Sequence, residues 1–395
     1  MKILFLHDVA EKVGGAEIYL YGLIKSLEKD NEVFSIFQST KLEKKSGRHK
    51  IYRNYYSNKF YKFISEAVFD FDFYRYLRKK INEIKPDVIH IHHNFKHSLS
   101  VLFALKGIPT VQTLHDLTLL CPIGWAKDAN AKFCISGGSI KCFSNCLPWW
   151  RFSDFLFIRL RDFLIRKKIK RLIAPSKHLL ESLKKRKFDN CTFIPYFIEL
   201  DKWKKVSKKG VFNSSKKRLL YVGRLEKEKG VQIIINALYL LKGDLSWHLD
   251  IVGGGRYGDE LIRLVKEKGL IKRVTFYGLK DQDEMSKFYK EAFVVLFPSL
   301  WVEQFGLVGV EALATGTPVI GSDVGGVPEW LENNKSGFLF PPGDEKVLAQ
   351  KIKFLLSSPT LAKKMGEYGR GAVISYLSKE KHLKEIKGLY LEVSR

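Results

Sequence analysis

Long apolar runs are missing from this chain of 395 residues. No segment approaches the roughly 18–20 apolar residues that are needed to span a bilayer, so the sequence predicts no transmembrane helix. The apolar start, Met1 to His7, is too short for the core of a signal peptide and predicts a first buried strand instead. We therefore expect a cytoplasmic protein.

Cysteine is scarce, with five in the chain. Four of them cluster with spacings of twelve, seven and three residues, and these are Cys121, Cys134, Cys142 and Cys146. Without an export signal we expect no disulfide framework. The spacing lacks the paired close cysteines of a zinc ribbon. Two alternatives stay open, a structural zinc or cluster site and a set of reduced or buried thiols.

Acidic residues are too few to balance the basic ones, since 42 Asp and Glu face 68 Lys and Arg, for a net charge of +26. Residues 1–199 carry 35 basic against 19 acidic residues, and residues 201–395 carry 33 against 23. Such charge favours an anionic partner, whether a membrane, a nucleic acid or a phosphorylated substrate. The alternative is a Lys-rich surface of the kind common in thermophiles.

A dinucleotide-binding fingerprint is also missing. Gly14 and Gly15 lie between a predicted strand and a predicted helix that begins at Ala16, but no glycine follows two positions on. This spacing disfavours a redox enzyme. Backbone amides at such a helix N-terminus can still bind an anion.

Strand-like and helix-like segments alternate along the whole chain, which predicts an α/β protein with parallel sheets covered by helices. The first half has six predicted strands, Lys2–Val9, Glu32–Gln38, Asp87–His93, Thr110–Asp116, Arg171–Pro175 and Thr192–Ile198. The second half has six more, Arg218–Gly223, His248–Val252, Val274–Gly278, Val294–Pro298, Pro318–Ser322 and Gly337–Phe340. Each set fits one doubly wound domain, and the composition of Asp201 to Lys217 is typical of a linker.

Two carboxylates in the second half stand out. Glu303 follows the predicted strand Val294–Pro298, and Glu311 lies about one turn into the helix that we expect to start near Phe305 and Gly306. Open α/β sheets bind ligands at the carboxyl ends of their strands. Glu303 and Glu311 could therefore accept hydrogen bonds from a polyhydroxylated ligand, while the glycines leave backbone amides free.

Five motifs in this order resemble the family 4 glycosyltransferases over nearly the whole chain. They are Gly14-Gly15-Ala16-Glu17, Val222-Gly223-Arg224-Leu225 with Lys229-Gly230, Val252-Gly253-Gly254-Gly255, the segment from Pro298 to Ala312, and Val324-Gly325-Gly326-Val327-Pro328-Glu329. The resemblance implies the GT-B fold, in which two doubly wound Rossmann-like domains face a central cleft.

The resemblance also implies the domain limits. Residues 1–200 would form an acceptor-binding domain that contains a Cys-rich insert at 117–150. Residues 201–377 would form the nucleotide-sugar-binding domain, and residues 378–395 a helix that crosses back to the first domain.

The same resemblance implies the roles of the donor-site residues. Arg224 and Lys229 would bind the diphosphate of a nucleotide sugar, Glu303 the transferred hexose and Glu311 the ribose. A planar guanidinium and a compact ammonium suit a diphosphate, although a surface pair of Arg224 with Glu226 or Glu228 is the alternative. Phe305, Gly306 and Leu307 would contribute backbone amides to the site. Gly253 and Gly254 would lie near the nucleobase, and Gly14 and Gly15 near the phosphate.

His115 would contact the transferred sugar, and the alternative is a histidine whose polar atoms are satisfied at a strand end. The family's favoured reaction retains the anomeric configuration by front-face displacement, with Arg224, Lys229 and the Gly15 amide stabilising the departing diphosphate. We expect no cofactor and no catalytic metal. The triplets Asp70-Phe71-Asp72, in an aromatic helix, and Asp281-Gln282-Asp283, at a helix N-cap, do not lie at a donor edge. His90, His92 and His93 are interpreted as structural.

The prediction is a retaining, metal-independent hexosyltransferase. Its donor would be a UDP- or GDP-sugar and its acceptor a lipid-linked glycan in cell-surface polysaccharide or glycolipid biosynthesis. The aromatic stretch from Arg53 to Tyr76 and the basic end of Arg151 to Arg171 predict peripheral contact with an anionic membrane at its inner face. The alternatives are a sugar-nucleotide epimerase of the same fold and a non-catalytic protein that binds sugar or nucleic acid. No nucleic-acid-binding module is present.

Overall fold

A computed structural model of the chain describes most of its residues. They are residues 1–8, 14–39, 48–53, 69–93, 98–121, 134, 152–199, 203, 210–212, 215, 217–243, 246–281 and 283–395, with the side chains of 38–39, 50–53, 93, 98 and 152–156 left out. The chain divides into two units. Unit 1 comprises Met1–Tyr196 and Glu380–Arg395, and unit 2 comprises Phe197–Lys379.

Unit 1 is built on a seven-stranded sheet in which every recorded strand pair is parallel. Its strands are β1 Lys2–His7, β2 Glu32–Ser39, β3 His49–Arg53, β4 Val88–His93, β5 Thr110–Thr113, β6 Arg171–Ala174 and β7 Cys191–Phe193. The helices of the first part of the chain are α1 Gly15–Leu27, α2 Phe71–Ile84, α3 Ser98–Ala104, α4 Phe152–Lys168 and α5 Lys177–Lys185.

Unit 2 is built on a six-stranded sheet, again with parallel pairs throughout. Its strands are β8 Lys217–Val222, β9 Trp247–Val252, β10 Val274–Phe276, β11 Val294–Phe297, β12 Val319–Ser322 and β13 Gly337–Phe340. The helices that follow are α6 Val231–Leu240, α7 Gly258–Glu267, α8 Met285–Glu291, α9 Leu307–Ala314, α10 Glu345–Leu356, α11 Pro359–Tyr376 and α12 Lys379–Ser394. Three 3₁₀ turns accompany them, Lys227–Lys229, Ile271–Arg273 and Val327–Glu329.

Both sheets are doubly wound. The strand order is β3-β2-β1-β4-β5-β6-β7 in unit 1 and β10-β9-β8-β11-β12-β13 in unit 2. The order reverses between β1 and β4 in the first sheet and between β8 and β11 in the second. Because loops leave the carboxyl ends of neighbouring strands in opposite directions there, a crevice opens at each of these points.

Helix α12 returns to unit 1, where hydrogen bonds attach it to residues far away in the sequence. His382 binds the Tyr19 hydroxyl at 3.0 Å, and the Tyr390 hydroxyl binds His90 at 2.6 Å. Ile386 is fully buried and Tyr390 is 1% exposed. The C-terminal helix therefore completes the core of unit 1.

The predicted fold class is confirmed, with differences at strand ends. Strand β3 was not predicted. Strand β5 ends at Thr113, so His115 lies in the loop beyond it. Asp70 is the N-cap of α2 rather than a residue of the helix, and it accepts a hydrogen bond from the Phe73 N–H at 2.8 Å. The N-cap of α8 is Glu284, so the second acidic triplet, predicted at the cap, ends one residue before it.

Among the residues that the structure describes, none of the helices combines the length and the apolar content that crossing a membrane requires. Helix α4 packs inward through Ile158, Leu164 and Ile165. It nevertheless leaves Leu160 and Phe163 exposed.

Candidate functional site

Two loops of unit 2 meet where the strand order reverses. One follows β8 and the other follows β11, and the N–H of Leu300 donates to the carbonyl of Glu228 at 2.8 Å. Gly230 adopts a left-handed conformation with φ 75°, and a Cβ atom there would lie 2.0 Å from the carbonyl oxygen of Pro298. The glycine is therefore required for the two loops to approach this closely.

This approach brings Lys229 and Glu303 together. The Lys229 ammonium lies 2.7 Å from Glu303 Oε1, and the Ser299 hydroxyl donates to the same oxygen at 2.7 Å. The side chains of Lys229 and Glu303 are 20% and 12% exposed, so the pair is sheltered but still open to solvent. Two donors occupy one carboxylate oxygen, and the ammonium has further protons to offer a second anion.

A third loop fixes the backbone of Glu303. The N–H of Gly326 donates to the Glu303 carbonyl at 2.8 Å. Gly325 has φ 54°, and a Cβ atom there would lie 2.1 Å from the same carbonyl oxygen. The turn at Gly325 and Gly326 therefore supports the backbone of Glu303.

Arg224 lies in the loop after β8, and its side chain is exposed. It forms no ion pair with any residue in the described part of the chain, so the alternative pairing with Glu226 or Glu228 is not seen. Its backbone carbonyl accepts a hydrogen bond from the Tyr221 hydroxyl at 2.8 Å. Burial, and then the charge of Glu303, raise the pKa of Tyr221, so this hydroxyl remains a neutral donor.

Glu311 lies in the second turn of α9, as predicted. The hydroxyl of Tyr289 donates to Glu311 Oε2 at 3.0 Å, and the Tyr289 ring packs edge-on against Trp203 with centroids 5.3 Å apart. Burial and the carboxylate raise the pKa of Tyr289 well above its ordinary value. Tyr289 therefore holds one oxygen of the carboxylate as a neutral hydrogen-bond donor.

Helix α9 begins at Leu307, directly after Gly306 with φ 96°. The indole N–H of Trp330 donates to the carbonyl of Phe305, and the rings of Phe297 and Trp330 pack edge-on near Gly306. The first N–H groups of a helix have no partner within the helix. This end of α9, which Glu303 precedes by four residues, can therefore bind an anionic or hydroxylated group.

Gly253 and Gly254 come directly after β9. A Cβ atom on Gly253 would lie 1.8 Å from the carbonyl oxygen of Gly223, and the Gly254 carbonyl accepts from the Leu225 N–H at 2.9 Å. These contacts tie the loop after β9 to the loop that carries Arg224. That Gly253 and Gly254 lie near a nucleobase stays a prediction.

In unit 1, Gly14 is the N-cap of α1, which begins at Gly15. The carboxylate of Glu17, in the first turn, lies 3.3 Å from His7 Nε2. Burial alone would raise the pKa of Glu17, but hydrogen bonds from His7 and from the amides of Glu17 and Gly14 lower it overall. The helix N-terminus that was predicted to bind phosphate therefore already holds a carboxylate of the chain.

His115 belongs to a hydrogen-bonded chain of rings. Its Nε2 lies 2.9 Å from His92 Nδ1, and its Nδ1 lies 2.6 Å from the hydroxyl of Tyr196. The rings of His92 and Tyr196 stack on it from two sides. Both nitrogens of His115 are engaged, so a sugar hydroxyl that binds one of them has to share or replace a partner.

Further buried histidines extend this cluster. His90 binds Tyr390 and Thr113, and His382 binds Tyr19 and the Pro195 carbonyl. Burial lowers the pKa of His90 to about 3 and that of His382 to about 4. Burial and neighbouring histidines lower the pKa of His92 well below its ordinary value. These rings are neutral at physiological pH, consistent with the structural role predicted for His90 and His92.

The cysteine set is only partly described. Cys121 is buried and Cys134 is half-buried, while Cys142 and Cys146 lie outside the described residues. Within the described ranges, no three His, Cys, Asp or Glu side chains are grouped so that they could hold a metal ion. The two alternatives for the cysteine insert therefore stay open.

Three residues of the site were missed from the sequence, Ser299, Tyr289 and Tyr196. Ser299 stands four residues before Glu303, and it follows Pro298 at a strand end, which is a local signal that could have drawn attention to it. Tyr289 and Tyr196 bind partners 22 and 81 residues away, so no spacing rule finds them.

Two doubly wound parallel sheets, one with charged side chains at its reversal point, define a protein of the GT-B class. Residues 13–202 match the family model described as Glycosyltransferase Family 4, and residues 202–372 match the model described as Glycosyl transferases group 1. Together the two models extend over residues 13–372. The chain belongs to the family 4 glycosyltransferases.

Solved structures share this fold over the whole chain. The sucrose-phosphate synthase of Thermosynechococcus elongatus is 22% identical with a TM-score of 0.79, and it covers 100% of this chain and 99% of its own. Anabaena Alr3699/HepE in complex with UDP and glucose is 20% identical with a TM-score of 0.77, with coverage of 99% and 100%.

Sequence relatives match over shorter segments. The N-acetyl-alpha-D-glucosaminyl L-malate synthase of Bacillus anthracis is 32% identical over 183 residues, which are 46% of this chain and 47% of that protein. The chain thus spans about half the length of this curated relative.

Proposed function

We propose that the protein is a retaining glycosyltransferase that transfers a hexose from a nucleotide sugar to a glycan acceptor. The observation that carries the proposal is the Lys229–Glu303 pair at the reversal point of unit 2, with Arg224 exposed in the same loop. Two cations and the N-terminus of α9 suit a diphosphate, and carboxylates suit sugar hydroxyls. The family relation supports the same assignment.

In the proposed reaction, Arg224 and Lys229 bind the two phosphates of the donor. Glu303 accepts hydrogen bonds from the hexose, and Glu311, held by Tyr289, accepts them from the ribose. The bond between the anomeric carbon and the diphosphate oxygen breaks, and a bond to the acceptor oxygen forms on the same face of the sugar. The acceptor proton passes to a phosphate oxygen of the leaving diphosphate, whose growing charge the two cations stabilise.

Lys229 has a second role in this scheme. Without donor it neutralises Glu303, and with donor it lies between that carboxylate and the phosphate. The hydroxyl of Ser299 continues to hold Glu303 Oε1 while the ammonium turns toward the new anion. The other oxygen, Oε2, is then the atom available to the hexose.

UDP-hexoses are the first donors to test. One HepE structure contains UDP and glucose, and another contains UDP-glucose. GDP-sugars remain the alternative, because no described residue distinguishes the two bases. The acceptor is proposed to be a lipid-linked glycan in the synthesis of a cell-surface polysaccharide or glycolipid.

The deciding experiment is a screen for nucleotide release from UDP-, GDP- and ADP-sugars, which detects slow donor hydrolysis without a known acceptor. Arg224→Ala should abolish most of the release, and Arg263→Ala, an exposed arginine of α7, should leave it unchanged. Release that is equal in the two variants, or absent with every donor and acceptor extract, would contradict the proposal.

Metal is not required in this scheme, because side-chain cations take the place of a divalent ion. Release should persist in EDTA. Loss of activity that Mg²⁺ or Mn²⁺ restores would contradict this part of the proposal. Zinc content should be measured in parallel, so that unfolding of a zinc-containing cysteine insert is not mistaken for lost catalysis.

A further inference from the structure

Four of the six large apolar side chains that are exposed in the described part of unit 1 lie on three helices, and the other two are Met1 and Leu391. Phe71 on α2 is 60% exposed, Phe103 on α3 is 43% exposed, and Leu160 and Phe163 on α4 are 40% and 58% exposed. Helix α3 packs beside both α2 and α4. These four residues, with Lys167 and Lys168, are called the aromatic-basic face.

Ring contacts show that the face is continuous between α2 and α4. The ring of Phe69 lies 4.7 Å from that of Phe71 and 5.8 Å from that of Phe103, centroid to centroid. The Lys168 ammonium lies 5.5 Å from the centroid of Phe103. The exposed rings are thus neighbours rather than scattered residues, and grouped exposure of this kind marks an interaction surface.

The exposed positions of α4 after residue 156 are either basic or apolar. They are Arg159, Leu160, Phe163, Arg166 and Lys167. The acid in this part of the helix, Asp162, is buried and bound to Arg186 at 2.9 Å and Arg161 at 3.1 Å. Exposed carboxylates such as Asp72 do occur on α2, so the positive charge is concentrated on α4.

Cations lie beside the exposed rings. The Lys167 ammonium lies 6.0 Å from the ring centroid of Phe163, and the Lys168 ammonium lies 5.5 Å from that of Phe103. Aromatic rings are stable at the level of lipid headgroups, while lysine reaches past them to phosphate. Arg166 and Arg171 are excluded from the face, because Arg166 donates to the carbonyls of Arg186 and Lys187 just after α5 and Arg171 pairs with Glu392.

We propose that the aromatic-basic face is a docking surface for a membrane that contains anionic lipids. A second copy of the chain is a poorer occupant, because a two-fold interface would place the cations of α4 against each other. The net charge of +26 adds a long-range attraction to the same partner. Docking would bring the protein to an acceptor carried by lipid, and that consequence rests on the proposed function.

The test uses the full-length protein and flotation with vesicles of phosphatidylcholine, with and without phosphatidylglycerol. The wild type should bind only the anionic vesicles, and binding should weaken as salt rises. Lys167→Gln with Lys168→Gln should weaken binding about tenfold or more, since each basic residue near the surface contributes about fivefold. Phe163→Ser should weaken binding severalfold even at low salt.

The matched controls lie in unit 2. Lys363→Gln with Lys364→Gln removes two adjacent exposed lysines of α11, and Phe354→Ser removes a ring that is 53% exposed. Both should bind vesicles as the wild type does. Donor hydrolysis in solution should be unchanged in all four variants, so a failed donor assay and a failed docking assay are separate results.

Three results would overturn the proposal. The wild type could ignore anionic vesicles at low salt, or the controls could weaken binding as much as the variants of the face do. Alternatively, the wild type could self-associate without lipid and Phe163→Ser could dissociate it, which would assign the face to a second copy.

Discussion

The two sheets of this protein reverse their strand order at equivalent points, but the side chains there are of opposite kinds. In unit 2, the loops after β8 and β11 carry Arg224, Lys229 and Glu303, which are charged and partly open to solvent. In unit 1, the corresponding edge carries His92 and His115 in a hydrogen-bonded chain, and His92 is 1% exposed.

The difference has a local cause. Glycines in unit 2 bring three loop backbones together and leave the space above them to long charged side chains. Rings fill the same space in unit 1, and burial keeps His90 and His92 neutral. The same topology thus presents charged side chains in unit 2 and buried, neutral histidine rings in unit 1. Only the charged side chains of unit 2 are suited to a diphosphate.

The largest effect should come from removing the cation of the unit 2 site. Lys229→Ala should lower turnover about 10²–10³-fold, because it removes a charged donor to a developing charge. Lys227→Ala, two residues earlier in the same 3₁₀ turn and exposed, is the matched control. Steady-state kinetics and a thermal melt of each variant give the measurement. Similar activity in Lys229→Ala and Lys227→Ala would mean that the Lys229 cation has no special role at the sheet edge of unit 2, and the contrast with unit 1 would be lost.

A smaller effect should come from Glu311, the residue that is proposed to bind the ribose. Glu311→Gln should weaken UDP binding by about tenfold to hundredfold, since a hydrogen bond to a charged group contributes roughly 1.5–3 kcal/mol. Tyr289→Phe removes only the donor that orients the carboxylate and should cost about fivefold. Calorimetry with UDP measures both.

Glu367→Gln, an exposed carboxylate of α11, is the control for these two variants. If Tyr289→Phe weakened binding as much as Glu311→Gln, the tyrosine rather than the carboxylate would contact the nucleotide. Unchanged binding in Glu311→Gln would instead remove Glu311 from the site.

Strands and loops of the site could be predicted because each depends on residues close in the chain. Val294 to Phe297 is an uninterrupted apolar run that ends at Pro298, and Gly337–Phe340 was predicted with the limits that the structure gives. Strand β3 was missed, since the segment from His49 to Arg53 is short and mixes polar with apolar residues. The end of β5 was placed three residues too late, since the N–H of Leu114 still donates to the carbonyl of Ile173 on β6 at 3.0 Å but the strand itself ends at Thr113.

The pairing of side chains within the site could not be predicted. Lys229 and Glu303 are 74 residues apart, and they meet because Gly230 lets one loop lie on another. The chain from His92 through His115 to Tyr196 depends likewise on three separate elements. Sequence gives the composition of such an edge, but which atoms bind each other depends on the tertiary arrangement of the loops.

Histidine burial predicts a pH dependence that belongs to unit 1. The pKa of His382 is lowered to about 4, so the unfolded chain, near 6.5, takes up a proton first. The contribution of His382 to the free energy of unfolding should therefore be constant above about pH 7 and fall as the pH decreases from about 6.5 to about 4. The carbonyl of Pro195 can only accept, so His382 Nδ1 donates to it and Nε2 accepts from Tyr19.

The amide Nδ2 of asparagine can replace His382 Nδ1 as the donor to the Pro195 carbonyl, and it does not titrate. His382→Asn should thus reduce the loss of stability between about pH 7 and about pH 5 by about 2 kcal/mol in total, since one proton contributes at most about 1.4 kcal/mol per pH unit. Urea unfolding followed by circular dichroism at several pH values measures it. An unchanged slope would mean that His382 is already protonated in the folded protein, contrary to its burial.

The smallest effect, about 1 kcal/mol, should come from helix caps, and it tests whether the two units can be compared as separate bodies at all. The Ser176 hydroxyl caps α5 through the Leu179 N–H at 3.2 Å, and Asp344 caps α10 through the Val347 N–H at 2.9 Å. Replacing either by alanine leaves an amide of the first turn without its partner. Ser176→Ala should speed hydrogen exchange in peptides of unit 1 alone, and Asp344→Ala in peptides of unit 2 alone, because local stability follows the contacts within each unit. If either variant sped exchange equally in both units, the chain would unfold as one cooperative body. The pH dependence assigned to unit 1 would then belong to the whole protein.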